Sequence, residues 1–168
     1  MFSYKAAVAA KKYGYKNIRI YNGGLKDWKK SGFAVVSDEG LPNYKGKFLT
    51  AEELLSEISA VKNTCINAEG RTRITLIDLR TEHQLKDTKR PSIIKCDCPI
   101  IYCLLDDLQN VAIRRLIPKD GLVVTITETG NRDKFAMQYL YKHGYGNIKG
   151  LLFGMRGWIK PGYQTETP

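Results

Sequence analysis

One stretch of the chain occurs twice, at residues 3–33 and again at residues 133–163. The two copies align without a gap and share ten identical residues where chance would give about two. The identical pairs are Ala6 with Ala136, Lys12 with Lys142, Gly14 with Gly144, Tyr15 with Tyr145, Asn17 with Asn147, Ile18 with Ile148, Gly24 with Gly154, Trp28 with Trp158, Lys30 with Lys160 and Gly32 with Gly162. Their offset of roughly 130 residues is one domain length, so the repeat predicts a tandem of two related domains.

The length of the chain allows only one of these domains to be whole. Its 168 residues hold one ordinary core of about 100–150 residues and a remnant. We therefore predict a C-terminal fragment of a first domain at residues 1–36 and a complete second domain at residues 48–168. Residues 37–47 are rich in glycine, proline and polar residues without periodicity, which is typical of a linker.

Strand and helix patterns alternate along the second domain. Compact apolar runs predict strands at residues 74–79, 93–101, 122–126 and 148–152, and helical spacing predicts helices after Thr50 and at residues 106–117 and 132–143. The first copy reads as a helix at residues 3–12, a short strand at 18–21 and a helix at 25–30. Alternating elements favour an α/β fold with a mostly parallel sheet and helices on both faces. Trp28 and Trp158 are expected to be core residues beneath that sheet.

The net charge of +10 comes with many basic residues between Lys5 and Lys47. We interpret them as solvated helix faces, since no aromatic-basic RNA motif or zinc-finger spacing accompanies them, and we expect no nucleic-acid partner. Small anions such as phosphate or sulfur oxyanions are compatible with this charge. No apolar run approaches the roughly 20 residues of a membrane span, so no membrane association is expected. No signal peptide is visible in this chain, and the compartment, cytoplasmic or periplasmic, stays open.

The chain has four cysteines, Cys65, Cys96, Cys98 and Cys103. They are too few for a disulfide scaffold and lack the paired spacing of a structural zinc site, so we predict thiols in a reduced protein and no metal site or cofactor. Cys96 and Cys98 would share one face of a strand. Plain core packing is the simpler interpretation for them, and a metal or persulfide role is the alternative.

Several short motifs occur in an order that resembles the rhodanese-like family of sulfurtransferase domains. They are the strand end Asp78-x-Arg80, the strand with Val123-Val124, a polar loop at residues 127–132, Gly144-Tyr145-Gly146-Asn147-Ile148, Gly154 and Trp158. Each motif is weak alone, but their order and spacing together are specific. The match covers residues 48–163 and implies a rhodanese-like fold with a five-stranded, mostly parallel sheet.

The resemblance implies that the loop at residues 127–132 is the former active-site loop. In the family this loop begins with a cysteine that takes up sulfane sulfur as a persulfide, surrounded by backbone N–H groups and followed by an arginine. The register set by Gly130-Asn131-Arg132 puts Thr127 at the place of that cysteine. A threonine hydroxyl stays protonated near neutral pH and cannot form a persulfide, and we see no base beside it in the motif. The loop comprises Thr127, Glu128, Thr129, Gly130, Asn131 and Arg132.

We therefore expect a catalytically silent domain with a structural, regulatory or docking role. The loop keeps its glycine and Arg132 and could hold an anion, although Glu128 opposes this, and a purely structural loop is the other interpretation. Asp78 and Arg80 are expected to support the loop through hydrogen bonds. The segment after Arg80 departs from the family's usual Gly-His-Ile-x-Gly-Ala, which also indicates lost catalysis.

Two alternatives stay open. The first is an active sulfurtransferase of the thiosulfate:cyanide type, working through a cysteine upstream of Met1 in a longer protein, or through Cys96, Cys98 or Cys103. The second is an anion-sensing module. In either case residues 1–36 are expected to expose apolar helices that could pack on a protein partner or on a second copy of the chain.

Overall fold

The protein is described by a computed structural model that covers residues 2–35, 40–61, 64–66, 70–86 and 92–167. The chain divides into two compact units, Met1–Gly40 and Leu41–Pro168. The division falls within the predicted linker, of which residues 37–39 lie outside the described residues. The assignment of the first unit to the tail of another domain stays a prediction.

The first unit contains the helices α1 (Phe2–Lys12) and α2 (Gly24–Lys30). The second unit contains β1 (Lys47–Leu49), α3 (Ala51–Ala60), β2 (Ile74–Asp78), α4 (Glu82–Lys86), β3 (Ile93–Ile94), β4 (Ile100–Tyr102), a 3-10 turn (Asp106–Gln109), α5 (Val111–Leu116), β5 (Leu122–Ile126), α6 (Asp133–Lys142), β6 (Ile148–Leu151), α7 (Gly154–Ile159) and β7 (Thr165–Glu166).

A five-stranded sheet with the order β1-β6-β5-β2-β4 forms the centre of the second unit, and all four pairings in it are parallel. Every residue of β2 and β5 is buried, as expected for the inner strands of a sheet covered on both faces. We predicted these two strands from continuous apolar runs, and strands with such runs need to be covered on both faces of the sheet. The predicted fold class is confirmed.

Helices cover both faces of the sheet and create two apolar cores. On one face Leu54 and Ile58 of α3 pack with Met155 and Trp158 of α7. On the other face Ala136, Met137 and Leu140 of α6 pack with Leu108 and Ile117. Thr50 begins α3 with a capping box, in which its hydroxyl accepts from the Glu53 N–H and the Glu53 carboxylate accepts from the Thr50 N–H.

The predicted strand at residues 93–101 is wrong as a single strand. β3 pairs antiparallel with β7, whereas β4 joins the main sheet beside β2, and residues 95–99 connect them. Pro99 has no N–H to donate to a ladder, so it stands just before β4 begins. The helix predicted at residues 106–117 is likewise divided, because Asn110 caps a new helix by accepting from the Ala112 N–H at 2.8 Å.

The first unit lacks the strand predicted at residues 18–21, where no regular secondary structure is assigned. In the second copy, Ile148–Leu151 forms β6 because it hydrogen-bonds to β5 on one side and β1 on the other. Trp158 is buried as expected, whereas its counterpart Trp28 is 41% exposed. The same sequence pattern therefore gives a strand and a core only where neighbouring strands are present.

The cysteines also differ from expectation. Cys65 and Cys98 form a disulfide, with a Cα–Cα separation of 5.2 Å, so two of the four are not the thiols that we predicted. The spacing of 33 residues gives no signal for this pairing, since it depends on the connection between α3 and β2 meeting the segment before β4. Cys96 and Cys103 remain free, the first half-buried and the second buried.

Candidate functional site

The loop at residues 127–132 connects the carboxyl end of β5 to the start of α6. The register pairs Ile126, the last residue of β5, with Asp78, the last residue of β2. Because parallel strands end at the same edge of a sheet, Asp78 and the segment after it lie beside the loop. The structure thus brings the two groups of predicted site residues together.

Thr127 is buried, and its hydroxyl is committed to hydrogen bonds within the site. Its Oγ1 donates to Oδ2 of Asp133 at 2.8 Å and accepts from the Gly130 N–H at 3.0 Å. The group that accepts from this hydroxyl lies one residue beyond the loop, outside the motif in which we expected no base. The place of the expected nucleophile is therefore held by a neutral donor to a buried acid.

Asp133 is the first residue of α6 and is completely buried. Burial raises the pKa of Asp133 to about 7, against the opposing effect of the hydrogen bond from Thr127. The nearby hydroxyl of Thr125 also lowers this pKa, although it lies outside hydrogen-bond geometry, and the charge of Asp78 raises it. Within the described part of the chain Oδ1 of Asp133 accepts no hydrogen bond. The helix after the loop thus begins with an acid that is expensive to ionise.

Glu128 lies between two arginine side chains. Its Oε1 accepts from Nε of Arg156 at 3.0 Å, and its Oε2 lies 3.9 Å from Nη1 of Arg80. Arg80 itself is buried and donates to Oδ2 of Asp78 at 2.7 Å and to the carbonyl of Ser92 at 2.9 Å. The Glu128 carboxylate therefore already interacts with the two arginine side chains that an incoming anion would use.

Backbone groups at the start of α7 fix the shape of the loop. The carbonyl of Thr127 accepts from the Met155 N–H at 2.8 Å, and the carbonyl of Glu128 accepts from the Arg156 N–H at 3.2 Å. Gly154 has a φ of +59°, and a side chain there would collide with the Thr127 carbonyl and with the N–H groups of the loop. Glycine is therefore required at position 154 because of both the positive φ and the close approach of the loop backbone.

The remaining predicted residues lie further out. Thr129, Asn131 and Arg132 are exposed, with Arg132 directly before α6. The role of Asp78 and Arg80 as loop supports stays a prediction, although the loop carboxylate lies near Arg80. Sequence reasoning missed Asp133 and Arg156. Neither position is among the ten identical pairs of the repeat, in which Asp133 aligns with Ser3 and Arg156 with Lys26.

The cysteines offer little nucleophilic character. Cys98 is bonded to Cys65, and burial raises the pKa of Cys103 to about 11. Burial also raises the pKa of Cys96, whose Sγ lies 3.8 Å from the Cys98 carbonyl. Since the thiolate is the reactive form, neither free thiol is activated near neutral pH. Among the described residues no cluster of His, Cys, Asp and Glu could hold a metal ion, and no helix there could span a membrane.

Comparison with known proteins finds similarity to a sulfurtransferase in sequence and to rhodanese-related proteins in structure. The chain is 30% identical over 100 residues to the adenylyltransferase and sulfurtransferase UBA4 of Lodderomyces elongisporus, covering 57% of this chain but only 21% of that relative. A rhodanese-related protein from Thermoplasma volcanium aligns with a TM-score of 0.54 at 21% identity, over 73% of this chain and 99% of that one. The rhodanese-like domain of the Alr3790 protein from Anabaena also has a TM-score of 0.54, at 18% identity over 72% and 79% of the two chains. No protein-family model matches the chain.

The raised pKa of Asp133 predicts a pH-dependent effect of Asp133→Asn on stability. The folded carboxyl holds its proton more tightly than the unfolded one, whose pKa is near 3.8, so ionisation costs stability that accumulates between about pH 4 and pH 7. Asp133→Asn removes that cost. We expect its free energy of unfolding in urea to exceed that of the wild type by on the order of 1 kcal/mol at about pH 8, and the difference to shrink towards pH 5.

The exposed Asp106 provides the matched control. Asp106→Asn is expected to change the free energy of unfolding by less than about 0.5 kcal/mol at either pH. A difference for Asp133→Asn that stays constant with pH would contradict the assignment of a buried, reluctantly ionised acid.

Proposed function

Because residues 41–168 form a domain of the rhodanese-like fold, we propose that this domain is a catalytically silent member of the sulfurtransferase family with a structural or docking role. The observation that carries the proposal is the hydrogen bond from the Thr127 hydroxyl to Asp133 at 2.8 Å. The register of the loop puts this hydroxyl where the family carries its sulfur-accepting cysteine.

The chemistry of sulfur transfer explains why this replacement matters. A thiolate attacks the outer sulfur of thiosulfate, the S–S bond of thiosulfate breaks, and sulfite leaves with the bonding electron pair. Cyanide then removes the sulfur from the persulfide as thiocyanate and restores the thiolate. A hydroxyl is not ionised near neutral pH, and the Thr127 hydroxyl is buried and donates to a carboxyl group that is itself half-protonated there.

The contacts of Glu128 weigh against the alternative of an anion-sensing module. Its carboxylate accepts a charge-assisted hydrogen bond from Arg156 and lies near Arg80, so the anion expected at this loop is supplied by the loop itself. An external phosphate or thiosulfate would have to displace this carboxylate or bind beside it as a like charge. We therefore favour a closed loop over a sensing one.

The first unit exposes an apolar surface. Its apolar side chains are exposed, with Tyr15 at 69% and Trp28 at 41%, whereas their repeat counterparts Tyr145 and Trp158 are at 3% and 1%. In the second unit, β5 pairs with β6, the counterpart of residues 18–21. We propose that the first unit is the tail of a further rhodanese-like domain, covered by a preceding segment of a longer polypeptide that supplies a strand resembling β5. The chain spans about a fifth of its curated relative, a longer protein.

Incubation of the purified chain with thiosulfate and cyanide tests catalytic silence. We expect no thiocyanate above the uncatalysed rate, and no gain of one sulfur atom in the mass of the protein, because no activated thiol stands at position 127. Thiocyanate formation together with a sulfur adduct on Cys96 or Cys103 would overturn the proposal. Turnover by a longer natural polypeptide, but not by this chain, would assign catalysis to the first domain of the tandem.

Glu128→Gln tests the closed loop. Removal of the carboxylate charge frees Arg156 and one nitrogen of Arg80, so thiosulfate and phosphate are expected to bind roughly tenfold more tightly than to the wild type, measured by calorimetry. Glu57→Gln is the matched control, since Glu57 forms a surface ion pair with Lys149 at 3.7 Å. Equal binding by the wild type and Glu128→Gln would show that Glu128 does not close the loop.

Hydrogen exchange tests the proposed cover of the first unit. In this chain the amides of residues 18–21 are expected to exchange like those of an unstructured peptide, whereas those of Ile148–Leu151 are protected by β5 and β1. A natural polypeptide extended before Met1 is expected to protect residues 18–21 at any concentration. Protection that appears only as the concentration of this chain rises would instead assign the surface to a second copy.

A further inference from the structure

We propose that Asp133 is a second and independent reason why this loop cannot hold a thiolate, so that a cysteine at position 127 alone would not restore the site. The inference rests on the proposed function, which equates position 127 with the family's nucleophile. It concerns a residue outside the loop motif, at the first position of the following helix.

The geometry around Thr127 suits a donor and not an anion. The hydroxyl satisfies the Asp133 carboxylate because it has a proton to give, over a distance of 2.8 Å. A thiolate in its place has no proton to donate, so the loop would either hold two adjacent negative charges or keep one proton shared between the thiol and Asp133. Both positions are buried, Thr127 at 5% exposure and Asp133 at 0%, so solvent does not screen the repulsion.

The start of α6 already carries an acid. The positive end of a helix dipole favours negative charge, and the carboxyl group of Asp133 lies in that first turn. In the silent loop this arrangement is harmless, since the second group is neutral. In a sulfur-transferring loop the carboxylate would compete with the thiolate for the same stabilisation.

Among the described residues, the buried charges near Asp133 give little compensation. Asp78 at the end of β2 adds negative charge, and β5 has no charged residue. Arg80 is paired with Asp78 and Arg156 with Glu128, while the adjacent Arg132 and Lys134 are exposed to solvent. Further out, Lys149 of β6 pairs with Glu57, and Asp107 of the 3-10 turn accepts from the Leu104 N–H.

The first copy of the repeat shows that the carboxylate is not required to start this helix. Ser3 stands where Asp133 stands in the second copy, and it belongs to α1. A neutral hydroxyl at this position leaves the helix dipole free for an anion in the preceding loop. The chain thus supplies its own replacement for a test, Asp133→Ser, beside the isosteric Asp133→Asn.

The test compares the single variant Thr127→Cys with the double variants Thr127→Cys/Asp133→Asn and Thr127→Cys/Asp133→Ser. Alkylation of the introduced thiol by iodoacetamide is followed against pH by peptide mass spectrometry, with Cys96 and Cys103 as internal references. We expect the single variant to react more slowly at neutral pH than an ordinary cysteine with a pKa near 8.5. Both double variants are expected to react at least about tenfold faster than the single one, which corresponds to a thiol pKa lower by about one unit.

Sulfur uptake gives a second readout. With thiosulfate, the double variants are expected to gain one sulfur atom at the introduced thiol and the single variant to gain none. Rapid alkylation of Thr127→Cys that does not change when Asp133 is replaced would overturn the inference. Turnover by the wild-type chain would instead overturn the proposed function, and the effect of Asp133 on the thiol would still be measured. Asp133→Asn with Thr127 retained shows by its urea unfolding whether the replacement disturbs the fold.

Discussion

The parallel pairing of β2 with β5 is the constraint on which the site depends. It sets Asp78 opposite Ile126, so that both strands end at the same edge of the sheet. Arg80 comes shortly after the end of β2, and the loop at residues 127–132 comes directly after β5. These segments therefore lie close enough for Arg80 to pair with Asp78 and to approach Glu128. A slip of one residue in this register would turn the buried aspartate to the other face and separate the two groups.

Burial explains why the charged side chains of the site interact with one another. Asp78 and Arg80 are nearly inaccessible and satisfy each other through two donor nitrogens, which is the condition under which buried charges are tolerated. Among the described residues no ion pair forms with Asp133; burial makes it keep its proton more readily, and it relies on the hydrogen bond from the Thr127 hydroxyl. The two acids thus illustrate opposite solutions to the same loss of solvent, one by pairing and one by a raised pKa.

Sequence patterns predicted the sheet, the covering helices and the position of the loop, because these depend on local periodicity and on fully apolar strands such as β2 and β5. They failed where the outcome depends on distant partners. Residues 18–21 have a strand pattern but no strand beside them, and Cys65 meets Cys98 only through the folded connections. The side-chain contacts of Asp133 and Arg156 with the loop also depend on the folded structure.

The loop is held by backbone groups, the N–H groups of Met155 and Arg156 below it and the close approach of Gly154. None of these contacts involves the side chain at position 127. The Thr127 side chain adds one further hydrogen bond, accepted by its hydroxyl from the Gly130 N–H, so most but not all of the support of the loop is independent of the residue at this position. An intact loop backbone in a protein of this fold therefore does not reveal the chemistry of the site, which depends on the side chains at the first position of the loop and at the first position of the next helix.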